Sequence, residues 1–403
     1  MKICQVGTGF LPVSPTVTGG AEKYVFYLSA ALQAMGHEVT LIDTVHSPRP
    51  NASFSLIEAP TRWHLDSNLL AHAIRGLLFG RTAARRLDLL LREKRFHVVN
   101  FHNQFSALAG IPVARRHGVP AVFTVHNPLW SDAIACRSRL ARAKFWMERR
   151  AQARADAILC VSHAAANNLF QHFSVDPSKL WAIPVGVDQY WFEDRKVWSS
   201  IRKRYTPDGG PLVLHVGRIA QYKNQLTLAR SFPLILQAVP NAHLAFAGPV
   251  DSPSYLKQMQ AVLASTKAGK RVVFTGPIPF EEMSQLYALA QVVVMPSIRE
   301  NCPQAALETM AQARAMVGSD IPPMRELLSD GEGVTVPAMD HDGLAHAVVN
   351  VLQDAGLRRR LGTQARRRAH ETYRWEVVAQ KIADHYARLS GARQAARPSP
   401  SGA

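Results

Sequence analysis

In the stretch RENCPQAALETMA (299–311), Glu300 and Glu308 flank a cysteine, a proline and a helix start. Upstream, QVVVMPS (291–297) is an apolar, β-branched run closed by Pro-Ser, the pattern of a buried parallel strand. Pro303 suits the first position of a helix, and AALETMAQARA continues it with good helix formers. Glu300 is therefore expected in a strand-to-helix loop and Glu308 inside the helix. The backbone N–H groups of Gln304 and its neighbours open onto the space between the two carboxylates. A helix start of that kind is a ready site for an anion.

A second stretch, VGRIAQYKN (216–224), places Arg218 just past a strand and Lys223 in the loop before a helix. Two cations beside an anion-binding helix start would make a diphosphate clamp. Taken alone, the loop fits a surface arginine and a surface lysine better. FTGPIPFEEMSQLYALA (274–290) supplies Gly276 in a tight strand-to-helix turn, where backbone can approach a planar base closely. His102 and His163 stand at strand ends, where a packed or exposed imidazole is at least as good a reading as a catalytic one. No Asp-x-Asp and no His/Cys set is read at metal-ligand spacing, so catalysis with no resident metal and no cofactor is expected.

The elements that must position these residues alternate along the chain. MKICQVG (1–7), EVTLID (38–43), FHVVNFH (96–102), AVFTVH (121–126), DAILCVS (156–162) and LWAIPVG (180–186) read as strands separated by helical stretches. After a polar pause ending in TPDGG (206–210), the rhythm restarts with PLVLHVG (211–217), HLAFAG (243–248), RVVFTG (271–276), QVVVMPS and AMVGSD (315–320). This βαβ pattern predicts two doubly wound parallel sheets in tandem. Ligands of such sheets bind beyond the carboxyl ends of the strands, so the site is expected in a cleft between the domains.

Composition sets the wider frame. The 403 residues exceed one ordinary core and predict two domains or more. No apolar run approaches the ~18 residues of a membrane span, and MKICQVGTGF opens directly on a strand, which leaves no room for a signal peptide. Cys4, Cys136, Cys160 and Cys302 are expected reduced, in a cytoplasmic protein. The net charge of +17 calls for an acidic partner or a solvated basic surface. Basic residues concentrate in Arg75–Arg95, in Arg137–Arg154 and around Arg358–Arg360 with Arg366–Arg368. Phosphorylated substrates and an anionic membrane surface fit; nucleic acid is the weakest reading, since no sheet carries interleaved aromatics.

Together, VGR…YKN, FTGPIP…EEMSQLYALA, MPS…E(seven residues)E and PPMRELL resemble glycosyltransferase family 4, the retaining sugar transferases of the GT-B fold. TGGAEKYV (18–25), VVNFHN (98–103), FTVHNP (123–128), VSHAA (161–165) and PVGVD (184–188) agree, in the family's order over roughly residues 1–390. The resemblance implies that Arg218 and Lys223 hold the donor diphosphate, with Pro303, Gln304 and Ala305 receiving it at the helix start. It implies that Glu300 meets the hydroxyls of the transferred sugar and Glu308 the ribose. Gly19 and Gly20 match a glycine loop that approaches the phosphates, and His126 a histidine near the reacting sugar carbon. A nucleotide sugar, with an anionic middle and hydroxyl-rich ends, suits a helix start flanked by two carboxylates.

The sequence departs from the family pattern at Val185 (usually Asn), Gln291 (usually Asp) and Asn301-Cys302-Pro303-Gln304 (usually Gly-Phe-Gly-Leu). Pro303 has no N–H, so phosphate contacts would shift to Gln304 and Ala305.

The fold expected is α/β GT-B: two Rossmann-like doubly wound parallel-sheet domains facing a central cleft. Residues 1–190 would form the acceptor-side domain and 206–371 the donor domain. Residues 372–390 would form a helix crossing back, followed by a disordered tail, 391–403. The function expected is retaining transfer of a hexose-type sugar from a UDP- or GDP-sugar to a hydroxyl acceptor, in polysaccharide or glycolipid biosynthesis. The partners expected are the donor, an anionic or lipid-linked acceptor and the cytoplasmic face of a membrane. A nucleotide-sugar epimerase on the same fold and a non-catalytic nucleotide-sugar binding protein remain as alternatives.

Overall fold

A computed structural model describes residues 1–15, 19–44, 54–60, 69–126, 139–173 and 175–395. Thr18, Asn127, Pro128, Cys136, Arg137 and the tail 396–403, all named above, lie outside the described residues. The chain divides into two compact units, one formed by Met1–Gly186 with Trp375–Ala403, the other by Val187–Arg374.

The first unit is built on seven parallel strands: Lys2–Val6 (β1), Glu38–Asp43 (β2), Ser55–Glu58 (β3), Val98–Phe101 (β4), Ala121–Val125 (β5), Ala157–Cys160 (β6) and Leu180–Ala182 (β7). Their order is β3-β2-β1-β4-β5-β6-β7. Strands β4, β5 and β6 are buried along their whole length, as continuous apolar runs of a parallel sheet covered on both faces must be. The core joins Val6, Phe101, Phe123 and Cys160 from the strands to Phe79, Leu87, Ile111 and Leu169 from the helices.

The second unit holds Leu212–Val216 (β8), His243–Ala247 (β9), Val272–Gly276 (β10), Val292–Met295 (β11), Ala315–Ser319 (β12) and Val334–Val336 (β13). Their order is β10-β9-β8-β11-β12-β13. In each sheet the order reverses once, between β1 and β4 and between β8 and β11. Such a switch point splays the following loops apart and leaves a crevice at the carboxyl ends.

Both sheets use the same device to fix register. Asp156, just before β6, accepts a hydrogen bond from Ala121 N at the start of β5 (2.8 Å). Gln291, just before β11, accepts one from Leu212 N at the start of β8 (2.6 Å). The Gln in place of Asp keeps this contact because only a side-chain oxygen is required.

The polar pause is not empty: it contains the helix Ser199–Tyr205, and the Tyr205 hydroxyl donates to Glu282 Oε1 at 2.7 Å. The last helix runs Trp375–Ala395, so residues 391–395 continue a helix rather than begin a disordered tail. Within the first unit it packs on the helix Gly20–Ala34, with Trp375, Val378, Ile382 and Tyr386 buried. No described helix is long and apolar enough to cross a membrane.

Candidate active site

The loops after β8 and β11 are stitched together. Asn224 adopts a left-handed conformation (φ 55°) that asparagine tolerates, and its amide donates to Pro296 O at 2.9 Å. Ile298 N donates to Tyr222 O at 2.9 Å. This clamp brings Lys223 Nζ within 2.6 Å of Glu300 Oε1, with both side chains largely buried at 15% and 8% exposure. Ser297 Oγ donates to the same oxygen at 2.7 Å. The pair thus stands at the β8/β11 switch point.

Arg218 lies in the same loop but takes a different partner, Asp251 Oδ1 at 3.1 Å, with its side chain 41% exposed. The two cations read from the sequence as one clamp are therefore held separately here, one by each of two carboxylates.

The helix Gln304–Ala311 begins after Pro303, which is its N-cap and not its first residue. No side chain caps this start, and Pro303 O receives the N–H of Ala306 at 3.0 Å. The missing N–H of Pro303 therefore removes nothing from the helix, and Gln304 and Ala305 supply its leading N–H groups. One helical turn further on, Glu308 Oε2 accepts from the Tyr287 hydroxyl at 2.9 Å. Tyr287 is fully buried, and burial, with Glu308 beside it, pushes its pKa well above the usual phenol range. It remains a donor at any ordinary pH.

Gly276 ends β10 at φ +66°, and a Cβ there would meet no atom within 4 Å. The turn is thus glycine's by conformation, and the space above it is open.

In the first unit, His126 follows β5 and His102 follows β4. His102 Nδ1 lies 3.2 Å from His126 Nε2, and His102 Nε2 lies 2.7 Å from Gln5 Oε1. Asn100 donates to Tyr386 Oη at 2.8 Å and accepts from Thr124 Oγ1 at 2.9 Å. Tyr24 meets the His126 ring edge-on at 4.9 Å. Burial lowers the pKa of His126 to about 4. For His102 burial, then the neighbouring His126, holds it well below the usual imidazole range. Both rings are neutral near pH 7.

Gly19 caps the helix Gly20–Ala34, where a Cβ would run into Glu22. Glu22, in the first turn of that helix, is buried and accepts a hydrogen bond from Thr8 Oγ1, so a carboxylate backs the glycines.

Residues 18–189 match the model for Glycosyltransferase Family 4, and residues 197–368 the model for Glycosyl transferases group 1. The chain belongs to glycosyltransferase family 4. It is 27% identical to the D-inositol 3-phosphate glycosyltransferase of Xylanimonas cellulosilytica, over 94% of this chain and 93% of that one. Sucrose-phosphate synthase from Thermosynechococcus elongatus superposes with a TM-score of 0.78 at 20% identity, over 97% and 99% of the two chains. An Anabaena protein solved in complex with UDP and glucose gives 0.75 at 16%, over 96% and 100%. The two parallel sheets are those of the GT-B fold.

Within this transferase, the second unit brings Lys223, Glu300, Gln304, Ala305 and Glu308 to the end of one sheet, with Arg218 alongside. Four partners went unread in the sequence: Asp251, Ser297, Asn224 and Tyr287. Tyr287 stands inside the quoted SQLYALA, but helical spacing alone makes it a core aromatic. Against the expectation of no Asp-x-Asp, the sequence holds one, Asp340-His341-Asp342. Asp340 caps the helix His341–Gln353 through Gly343 N at 2.8 Å, a structural task. No group of three or more potential metal ligands forms among the described residues.

Proposed function

We propose that this glycosyltransferase moves a hexose-type sugar, with retention of configuration, from a UDP- or GDP-linked donor to a hydroxyl acceptor. The observation that carries the reading is the Lys223–Glu300 pair at the switch point, beside an uncapped helix start. Lys223, Arg218 and the N–H groups of Gln304 and Ala305 are assigned to the diphosphate. That part of the donor gains charge as the sugar leaves, so donors fixed there favour the transition state. Glu308, held by Tyr287, is assigned to the ribose hydroxyls, Glu300 to those of the transferred sugar, and the Gly276 turn to the base. The glycines Gly19 and Gly20 are assigned to close approach to the phosphates.

In the reaction proposed, the bond from the anomeric carbon to the phosphate oxygen breaks and a bond to the acceptor oxygen forms on the same face. The acceptor proton passes to the departing phosphate oxygen, giving the nucleoside diphosphate. His126, neutral near pH 7, is assigned to stabilising positive charge on the sugar ring. No resident metal is needed for this assignment, because two side-chain cations and a helix start are assigned to the diphosphate.

The acceptor is proposed to be anionic or lipid-linked, placing the enzyme in the cytoplasm at a membrane surface, in polysaccharide or glycolipid biosynthesis. Names of relatives support a phosphorylated acceptor: an inositol 3-phosphate glycosyltransferase and a sucrose-phosphate synthase are among them. The Anabaena structure supports a UDP donor.

The test is incubation with UDP- and GDP-hexoses, with and without candidate acceptors, following nucleoside diphosphate release and product anomeric configuration. Release coupled to a retained glycoside is expected. An epimerised donor in the absence of acceptor, or an inverted product, overturns the reading.

A further inference from the structure

Five of the twelve large hydrophobic side chains exposed among the described residues lie on two helices of the first unit: Leu70, Ile74, Leu77, Leu89 and Trp146, each 39–58% exposed. Both helices, Leu69–Glu93 and Arg139–Arg154, pack on the helix Gln104–Arg116 and touch each other. They therefore form one outer layer. On the first, Leu70, Ile74 and Leu77 follow helical spacing along one stripe, which continues into exposed Arg81 and Arg85, with exposed Arg86 on the adjoining face. On the second, exposed Trp146 stands between Arg142 and the pair Arg149 and Arg150, and the Arg150 guanidinium lies 5.2 Å over its ring.

Charge on this layer is predominantly positive. None of Arg81, Arg85, Arg86, Arg142, Arg149 and Arg150 has a carboxylate partner among the described residues. The second helix has one acid, Glu148, which is buried. On the first, Asp88 is engaged by Arg92 and His117, and only Glu93 at the far end is an exposed acid. A solvated basic face would not also expose a tryptophan and three aligned aliphatics. A nucleic-acid face would not place those aliphatics in a row. Apolar side chains interleaved with arginine match an anionic lipid surface, where the rings and aliphatics enter the headgroup boundary and guanidinium groups meet phosphates.

We propose that these two helices form a docking surface for an anionic membrane, which positions the enzyme at a lipid-linked acceptor. The proposal rests on the lipid-linked acceptor reading above, and its test is independent of catalysis. The measurement is co-sedimentation with phosphatidylcholine vesicles and with vesicles containing phosphatidylglycerol, at low and high salt. Three proteins are compared: the native chain, Trp146→Ser with Ile74→Ser, and Arg149→Ser with Arg150→Ser. All replaced side chains are exposed, and melting temperature checks each fold.

The native chain is expected on the anionic vesicles, off the neutral ones and released by salt. Each double variant should partition about tenfold more weakly. Absence of the native chain from anionic vesicles, or unchanged partitioning in both variants, overturns the proposal. So does binding to duplex DNA that matches vesicle binding and ignores Trp146→Ser with Ile74→Ser. Thermal shift by UDP and GDP, run on the same proteins, keeps the two readings apart. Vesicle binding without any nucleotide shift would sink the UDP- or GDP-donor reading alone, and a nucleotide shift without vesicle binding would sink the docking surface alone.

Discussion

Lys223 Nζ and Glu300 Oε1 lie 2.6 Å apart, so the two groups assigned to neighbouring parts of the donor hold each other in this structure. Removing one partner of a buried ion pair leaves the other charge uncompensated, at a cost of about 3–5 kcal/mol. Lys223→Ala and Glu300→Ala should each lower stability substantially, and the double variant should lose less than the sum. Chemical denaturation of all four proteins measures this; strict additivity would show that the pair is not coupled.

The same geometry separates the two variants in function. Glu300→Ala releases Lys223 for the diphosphate, so nucleoside diphosphate affinity should hold or rise while transfer collapses. Lys223→Ala should slow transfer by roughly 10²–10³-fold, by analogy with losing one oxyanion donor. Asp251→Ala, which frees Arg218, should not weaken nucleoside diphosphate binding. Calorimetric titration decides; lost affinity in Glu300→Ala would place the ligand the other way round.

Glu308 and Tyr287 give a second contrast. Glu308→Ala should weaken nucleoside diphosphate binding by roughly 10- to 150-fold, the worth of a hydrogen bond to a charged group. Tyr287→Phe keeps the carboxylate but loses the bond that orients it, so a smaller loss in the same direction is expected. Equal affinities in the native enzyme and Glu308→Ala would remove Glu308 from the site.

The histidines predict acid sensitivity. Folded His126 has a pKa of about 4 against an unfolded value of 6.5, so between these values the unfolded chain binds protons that the folded one refuses. Stability is complete above about pH 6.5 and falls as the pH drops toward 4. Melting temperature against pH should decline through that window, less steeply in His126→Gln. An identical slope in the variant would contradict the assignment.

The last helix supplies a stability test. Trp375 fills space against Gly186, where a Cβ would come within 2.3 Å of its ring, and Tyr386 Oη accepts from Asn100. Stopping the chain at Tyr373 removes both contacts and should destabilise strongly; stopping at Ser390 should not. Gly186→Ala should cost about 1–3 kcal/mol through overpacking. Matching melting temperatures for the two truncations would be inconsistent with this packing.

By itself, the sequence determined the two parallel sheets, because β-branched apolar runs alternating with helical stretches admit few other folds. It also determined that Lys223 and Glu300 stand in loops after strands and Glu308 in the helix that follows. The long basic helix Leu69–Glu93 and the strand Ser55–Glu58 were not legible, since one reads as a charge run and the other is mostly exposed.

Tertiary structure alone decided the partners. Lys223 meets Glu300 across 77 positions only because the strand order reverses between β8 and β11, which sets their loops side by side. Arg218 turns to Asp251 because β8 and β9 are paired, His102 joins His126 because β4 and β5 are, and Tyr287 reaches Glu308 from the helix before β11 to the helix after it. Local sequence sets where a side chain leaves the backbone; which charge or hydroxyl it then meets depends on long-range strand pairing.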